Sequence, residues 1–310
     1  MIGRTISRAW KEVESSMEPK EIRFPREKNH DVCLEELIAQ NLLSQTPTLC
    51  PMIQPLTLAA AHEITLLITG ETGTGKTFLA RIIHDFSTRK NERFLVVPCG
   101  ALAQSLVESE LFGHVRGAFT GADSGKQGKF GAAGRGTILL DEIDTLGLEQ
   151  QAKLLRVLET GEYEPVGSNR TEICRSRIIA ASNWNLEEAV QQGKFRQDLY
   201  YRLHVMAFYL PPLRERKQDI GPLTRTMLQR FAAKFCKIIS GISPEALATL
   251  EAFPWPGNIR QLENAIQLAV MVCDGPELLF RHLPKPIKEI ATNVPANGRT
   301  TPISVVEAVC

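Results

Sequence analysis

Gly70-Glu71-Thr72-Gly73-Thr74-Gly75-Lys76-Thr77 has the spacing G-x-x-x-x-G-K-T. Glycines let the chain turn back so that successive backbone N–H groups face an anion. The lysine then brings a positive charge to the outer phosphates of a nucleoside triphosphate, and the threonine hydroxyl is a hard ligand for Mg2+. Thr137-Ile138-Leu139-Leu140-Asp141-Glu142 carries two carboxylates at the end of an apolar run. Ligands collect at that end of parallel strands. Asp141 would hold the metal through its water shell, and Glu142 would polarise the attacking water as general base. By itself an Asp-Glu pair is better explained by solvated acids closing a strand; the upstream loop makes the catalytic reading the stronger one.

Both motifs need a sheet to carry them. Short apolar runs supply five candidate strands: ITLLIT (64–69), FLVV (94–97), TILLD (137–141), RIIAAS (177–182) and MAFYL (206–210). Their near-continuous apolar character predicts strands covered on both faces, as in a parallel sheet. Leu79, Ile82, Ile83 and Phe86 recur at helical spacing, as do Leu154, Leu155 and Leu158, so helices can cover that sheet. The phosphate loop therefore sits between a strand and a helix, as its chemistry requires.

After PPLRERKQDI (211–220) the pattern is helical only. Ser243 followed by Pro244 predicts a capped helix start. Ile259, Leu262, Ile266, Ala269, Val270 and Cys273 form one apolar face of a helix beginning at Asn258. The division read from these patterns is an N-terminal arm (1–45), with a short stripe at Ile6, Trp10 and Val13, an α/β nucleotide-binding subdomain (46–217), a helical lid (218–286) and a Pro-rich polar linker or tail (287–310).

Composition narrows the alternatives. Lys plus Arg number 36 against 35 Asp plus Glu, so no overall basic excess drives binding to a nucleic-acid backbone. The N-terminal segment is charged throughout and lacks the apolar core of a secretion signal, and no run approaches the roughly 20 apolar residues of a membrane span. A cytoplasmic protein without membrane attachment is expected. The seven cysteines are scattered, with no C-x-x-C pair, and read as reduced thiols. The six histidines never fall at metal-ligand spacing, and no nucleophilic triad is visible.

The run Glu110-Leu111-Phe112-Gly113-His114, followed by Gly117-Ala118-Phe119-Thr120-Gly121-Ala122, resembles the GAFTGA segment of sigma-54-dependent activators, the bacterial enhancer-binding proteins. FRQDLYYRL (195–203), LPPLRERKQDI (210–220) and WPGNIRQLENA (255–265) extend the resemblance over about residues 46 to 286. It implies an AAA+ P-loop NTPase, with a parallel α/β sheet and an all-helical lid, that hydrolyses ATP with Mg2+ to remodel sigma-54 RNA polymerase. It implies a homo- or hetero-oligomeric ring, a hexamer in the family, with promoter DNA reached through a DNA-binding domain that is missing or separate. By the same resemblance Phe119 and Thr120 lead the contact with sigma-54, and residues 162–170 form a second surface loop that moves with the first. Arg196 and Arg202 would be arginine fingers for the neighbouring subunit's ATP. Arg260 and Asn183 would be the two sensors. Two positions depart from the family. Pro98 stands where relatives have an Asn that hydrogen-bonds the catalytic Glu, and Val115 stands where Glu is common. Two other readings stay open at this point: an AAA+ remodeller of a different client, and a module that holds ATP without turning it over.

Overall fold

The five apolar runs become five parallel strands. In the computed structural model, which describes residues 34–101 and 104–292, they are β1 (Leu66–Thr69), β2 (Phe94–Pro98), β3 (Thr137–Asp141), β4 (Arg177–Ser182) and β5 (Met206–Tyr209), in the spatial order β2-β3-β4-β1-β5. Leu67 of β1 sits between Ala180 of β4 and Ala207 of β5, and Leu140 of β3 lies between Val97 and Ala180. Two of the five, β3 and β4, have the bounds expected from the sequence; the others differ by one or two residues at an end.

Helices cover both faces. On one side α1 (Leu34–Leu43), α2 (Ile53–Ala61) and α3 (Lys76–Asp85) pack against Leu66, Ile68, Leu139, Ile179 and Phe208. On the other, α4 (Gln104–Phe112), α5 (Lys129–Ala133), α6 (Leu148–Thr160), α7 (Leu186–Gln191) and α8 (Gln197–Leu203) pack against Leu67, Ile138, Leu140, Ile178 and Ala180. Successive strand residues thus feed two separate cores, as the two-residue side-chain period dictates. Full coverage holds for the three inner strands only. At the edges, Val96 of β2 and Tyr209 of β5 stay exposed, because an edge strand has a neighbour on one side alone. Pro98 is tolerated at the end of β2 for the same reason: an edge strand does not need every N–H.

Helix α1 changes the expected N-terminal boundary. Ile38 and Leu42 are buried in the sheet's core, so residues 34–43 belong to the packed unit rather than to an arm. The Ile6, Trp10 and Val13 stripe lies outside the described residues.

The lid consists of α9 (Ile220–Lys234), α10 (Pro244–Ala252), α11 (Asn258–Val272) and α12 (Lys285–Thr292) around their own core of Leu223, Leu228, Leu250, Leu262, Ile266 and Val270. Ser243 caps α10 as expected, its side chain accepting from the Ala246 N–H. Trp255 is wholly buried and donates its indole N–H to the Leu250 carbonyl at 2.7 Å. Helix α12 runs past the expected lid boundary into the segment read as linker, and Ile287 is buried against the lid. Pro286 did not forbid this, since a first-turn N–H has no helical partner to lose.

Candidate functional site

The ends of β1, β3 and β4 converge on Lys76. This lysine is the first residue of α3, and only 6% of its surface is exposed. Its ammonium donates to the Gly70 carbonyl at 2.7 Å, the Glu71 carbonyl at 3.0 Å and Asn183 Oδ1 at 2.5 Å. Burial pushes its pKa down, while Asp141, Asp144 and Glu142 pull it back up. The charge is thus partly desolvated and aimed into the loop. Thr77 Oγ1 lies 3.5 Å from Asp141 Oδ2, so hydroxyl and carboxylate face each other across the loop.

Glu142 leaves β3 in the left-handed region, with φ +56°. Such a backbone is costly for a side-chain-bearing residue and recurs at functional sites. It turns the carboxylate away from the strand direction. Oε1 accepts from Asn183 Nδ2 at 3.3 Å. Asn183 therefore bridges two groups, taking a hydrogen bond from Lys76 and giving one to Glu142. Asp144, which the sequence reading passed over, sets that bridge: its Oδ1 accepts from the Asn183 N–H at 3.2 Å and the Ser182 hydroxyl at 2.7 Å. Its spacing after the Asp-Glu pair, T-I-L-L-D-E-I-D, was the available signal.

The lid reaches the same loop through residues of the 210–220 and 255–265 blocks, most of which had no role assigned from sequence. Asn258, fully buried at φ +51°, accepts from the Leu213 N–H at 2.7 Å and donates to the Thr72 carbonyl and the Glu71 carboxylate at 3.0 and 3.1 Å. The Glu71 carboxylate is also gripped by both terminal nitrogens of Arg214, which holds its pKa below the usual carboxylate range. Glu71 was expected among the nucleotide-binding residues. Its backbone lines the loop, but its side chain points at the lid. Gly73, at φ +80°, has the Gly257 carbonyl where a Cβ would stand, 2.6 Å away. The lid packs onto the loop too closely for any side chain there. Arg260 begins the second residue pair of α11 beside Gly73, while the Ile259 N–H donates to the Gly73 carbonyl at 2.9 Å. Buried Arg216 donates to the Thr74 carbonyl at 2.5 Å, and its neighbour Asp219 accepts from Thr48.

Arg196 and Arg202 lie elsewhere. Arg196 forms a two-pronged pair with Asp198 at 2.7 and 3.0 Å, and Arg202 donates to the Leu158 carbonyl at 3.1 Å. Among the described residues neither is hydrogen-bonded to the phosphate loop. Arg196, Gln197, Asp198 and Tyr201 line an open surface depression.

The Gly117–Ala122 segment is a surface hairpin. The Gly117 N–H donates to the Ala122 carbonyl at 2.9 Å, and the Ala122 N–H to the Phe119 carbonyl at 3.0 Å. Phe119 keeps 39% of its surface exposed and sets its ring edge-on to His114, centroids 5.0 Å apart. His114 is itself fixed by the Ser109 hydroxyl and the Ser124 carbonyl. At the hairpin's base, the Val115 N–H donates to the Val166 carbonyl and the Val166 N–H to the Gly113 carbonyl. Residues 162–170 thus join the hairpin through the backbone, where Val115 offers no polar side chain.

Two family models match the chain: the sigma-54 interaction domain over residues 42–209 and the AAA+ ATPase lid domain over residues 214–299. The chain is 45% identical over 243 residues to the transcriptional regulatory protein ZraR of Klebsiella oxytoca, covering 78% of this chain and 55% of that one. It is 43% identical over 263 residues to the regulatory protein AtoC of Escherichia coli K12, covering 85% and 57%. The crystal structure of NtrX from Brucella abortus in complex with ATP superposes with a TM-score of 0.71 at 29% identity, covering 92% of this chain and 59% of that one. The chain therefore spans somewhat over half the length of these proteins.

The lid latch makes a testable demand. Asn258→Gly keeps a residue suited to positive φ while deleting three hydrogen bonds, one of which leaves the buried Leu213 N–H unpaired. Unfolding free energy in a urea titration should fall by about 1–3 kcal/mol. An unchanged midpoint would show that the latch contributes nothing.

Proposed function

The chain belongs to the sigma-54 interaction domain family of AAA+ ATPases, and from that premise we propose that it hydrolyses ATP to remodel sigma-54 RNA polymerase at promoters. The observation that carries the reading is the convergence of Lys76, Thr77, Asp141, Glu142 and Asn183 at the carboxyl ends of the inner strands. Gly70 to Thr77 wrap the phosphates, and Lys76 exchanges its loop carbonyls for phosphate oxygens. Glu142 takes the proton of the attacking water. NtrX, similar over most of this chain, has been crystallised with ATP.

Thr77 Oγ1 and Asp141 Oδ2 are hard oxygen donors 3.5 Å apart, the donor type that magnesium takes. No group of three or more His, Cys, Asp or Glu side chains gathers as a metal site among the described residues. Magnesium commonly takes one or two protein oxygens, with substrate phosphates and water completing its shell. The ion would supply charge neutralisation between the outer phosphates.

Arg196 and Arg202 act on the ATP of a neighbouring protomer, which makes the working unit a ring, six-membered as the family resemblance implies. What supports this is their exposed placement on partners of their own protomer, apart from its phosphate loop. Arg260 reads the phosphates from within the subunit, at the lid helix beside Gly73. Phe119 and Thr120 meet sigma-54 at the hairpin tip. Promoter DNA is engaged through another domain or polypeptide, and the site of action is the cytoplasm.

Lys76→Ala should abolish nucleotide binding, whereas Glu142→Gln should bind ATP yet lower turnover by roughly 10²–10⁴-fold, since one contacts the ground state and the other acts on water during reaction. Equilibrium binding of a fluorescent nucleotide alongside steady-state phosphate release separates the two. Wild-type turnover in Glu142→Gln would remove the catalytic assignment. Phe119→Ala should keep ATPase activity and lose sigma-54 binding by about 2 kcal/mol or more, as truncated interface anchors do. Undiminished sigma-54 binding would mean that Phe119 serves only to pack on His114.

A further inference from the structure

Glu142 has a second neighbour besides Asn183. Its Oε2 lies over Gly100, in the short turn after β2, at the place where a side chain would begin. A Cβ built on Gly100 would fall 2.2 Å from Glu142 Oε2 and 3.3 Å from both Glu142 Cδ and Thr145 Cγ2. No Cβ survives at such a distance from an oxygen, so the carboxylate occupies a notch that exists only because residue 100 is glycine. The two residues before Gly100 offer Glu142 nothing comparable. Pro98 has neither an N–H nor a polar side chain. The Cys99 thiol, buried and pushed up to about 12 by desolvation, donates to the Val97 carbonyl instead.

In this pose the carboxylate is hydrogen-bonded by the Asn183 amide at one oxygen, Oε1, and seated against the backbone of Gly100 at the other, Oε2. A general base needs an oxygen lone pair aimed at the water it deprotonates. Asn183 is in turn held by Lys76 through a 2.5 Å hydrogen bond, and phosphate oxygens compete for that same ammonium.

Resting on the ATPase reading, we propose that Gly100 is a positioning residue whose notch, together with Asn183, parks the Glu142 carboxylate away from the attacking water. A phosphate that draws Lys76 off Asn183 loosens the amide's hold, and the carboxylate then leaves the notch. Asn183 thus supplies the hold on the catalytic acid, and Gly100, two positions after the proline that cannot offer a polar group, supplies the room for that pose.

Gly100→Ala is a clean test, because Gly100 is not among the positive-φ glycines and the group its methyl meets is the far end of a flexible side chain. The added methyl should evict the carboxylate and leave the fold unchanged. Steady-state ATP turnover is compared for wild type and Gly100→Ala, each alone and combined with Glu142→Asp, with ADP affinity measured in parallel. The expected result is at least a threefold rise in kcat for Gly100→Ala with ADP affinity within twofold of wild type. In the Glu142→Asp background, whose acid is one methylene too short to fill the notch, Gly100→Ala should leave kcat within twofold. A lowered kcat would identify the notch as the productive pose, and an unchanged one would make it irrelevant; either overturns the proposal. An equal rise in the Glu142→Asp background overturns it as well, as does a loss of ADP affinity, which would assign Gly100 to the pocket's own architecture. Wild-type turnover relative to Lys76→Ala in the same assay reports separately on the ATPase reading.

Discussion

An ammonium group with almost no exposure must be surrounded by acceptors, or it will not stay charged. Lys76 meets that demand with two carbonyls of its own loop and the amide oxygen of Asn183. Everything near it follows from satisfying that charge. The loop must curl so that Gly70 and Glu71 present carbonyls inward. Strand β4 must deliver Asn183 beside β1, and Asp144 must fix the Asn183 backbone so that the amide faces the lysine. Once Asn183 is oriented by Lys76, its Nδ2 is committed to Glu142. The state of one cation thereby reaches the catalytic acid through one side chain.

The same loop is the meeting point of the two subdomains. Asn258 and Arg214 bind its outer side through Glu71, and Arg216 binds the Thr74 carbonyl. A shift in the loop's backbone therefore pulls on the lid through several polar contacts at once, buried at Arg216, partly buried at Asn258 and exposed at Arg214. On the far side of the sheet, the hairpin carrying Phe119 is tied to residues 162–170 by backbone hydrogen bonds at its base, while its tip rests on His114. A rigid base with a lightly held tip is an arrangement in which the tip can change partners without unfolding what supports it.

Much of this was legible in the residues. The phosphate loop announces itself by glycine spacing and a Lys-Thr pair, and the five strands by apolar runs, because local chemistry determines both. The sheet order, by contrast, is set by crossovers that no single run encodes. What was illegible is of three kinds. Helix α1 was hidden because the charge-dense stretch preceding it masked a short apolar face at Ile38 and Leu42. Helix α12 was hidden by Pro284 just before it and Pro286 in its first turn, positions where a helix accommodates proline. Asn258, Asp144 and Gly100 were hidden because their importance lies in contacts with residues far away in sequence. A buried asparagine at positive φ looks like any turn residue, and a glycine whose missing Cβ makes room for a carboxylate looks like any glycine. Glu71 shows the converse: motif membership placed it at the nucleotide, yet its carboxylate serves the lid.

The central step is Lys76 trading its loop carbonyls and Asn183 for phosphate. A structure of the wild-type chain bound to magnesium and a non-hydrolysable ATP analogue tests that directly. It should place Lys76 Nζ within about 3 Å of a phosphate oxygen, with its hydrogen bond to Asn183 broken and the Glu142 carboxylate out of the Gly100 notch. Analogue bound in the loop with Lys76 still on Gly70, Glu71 and Asn183, and Glu142 still over Gly100, would contradict it.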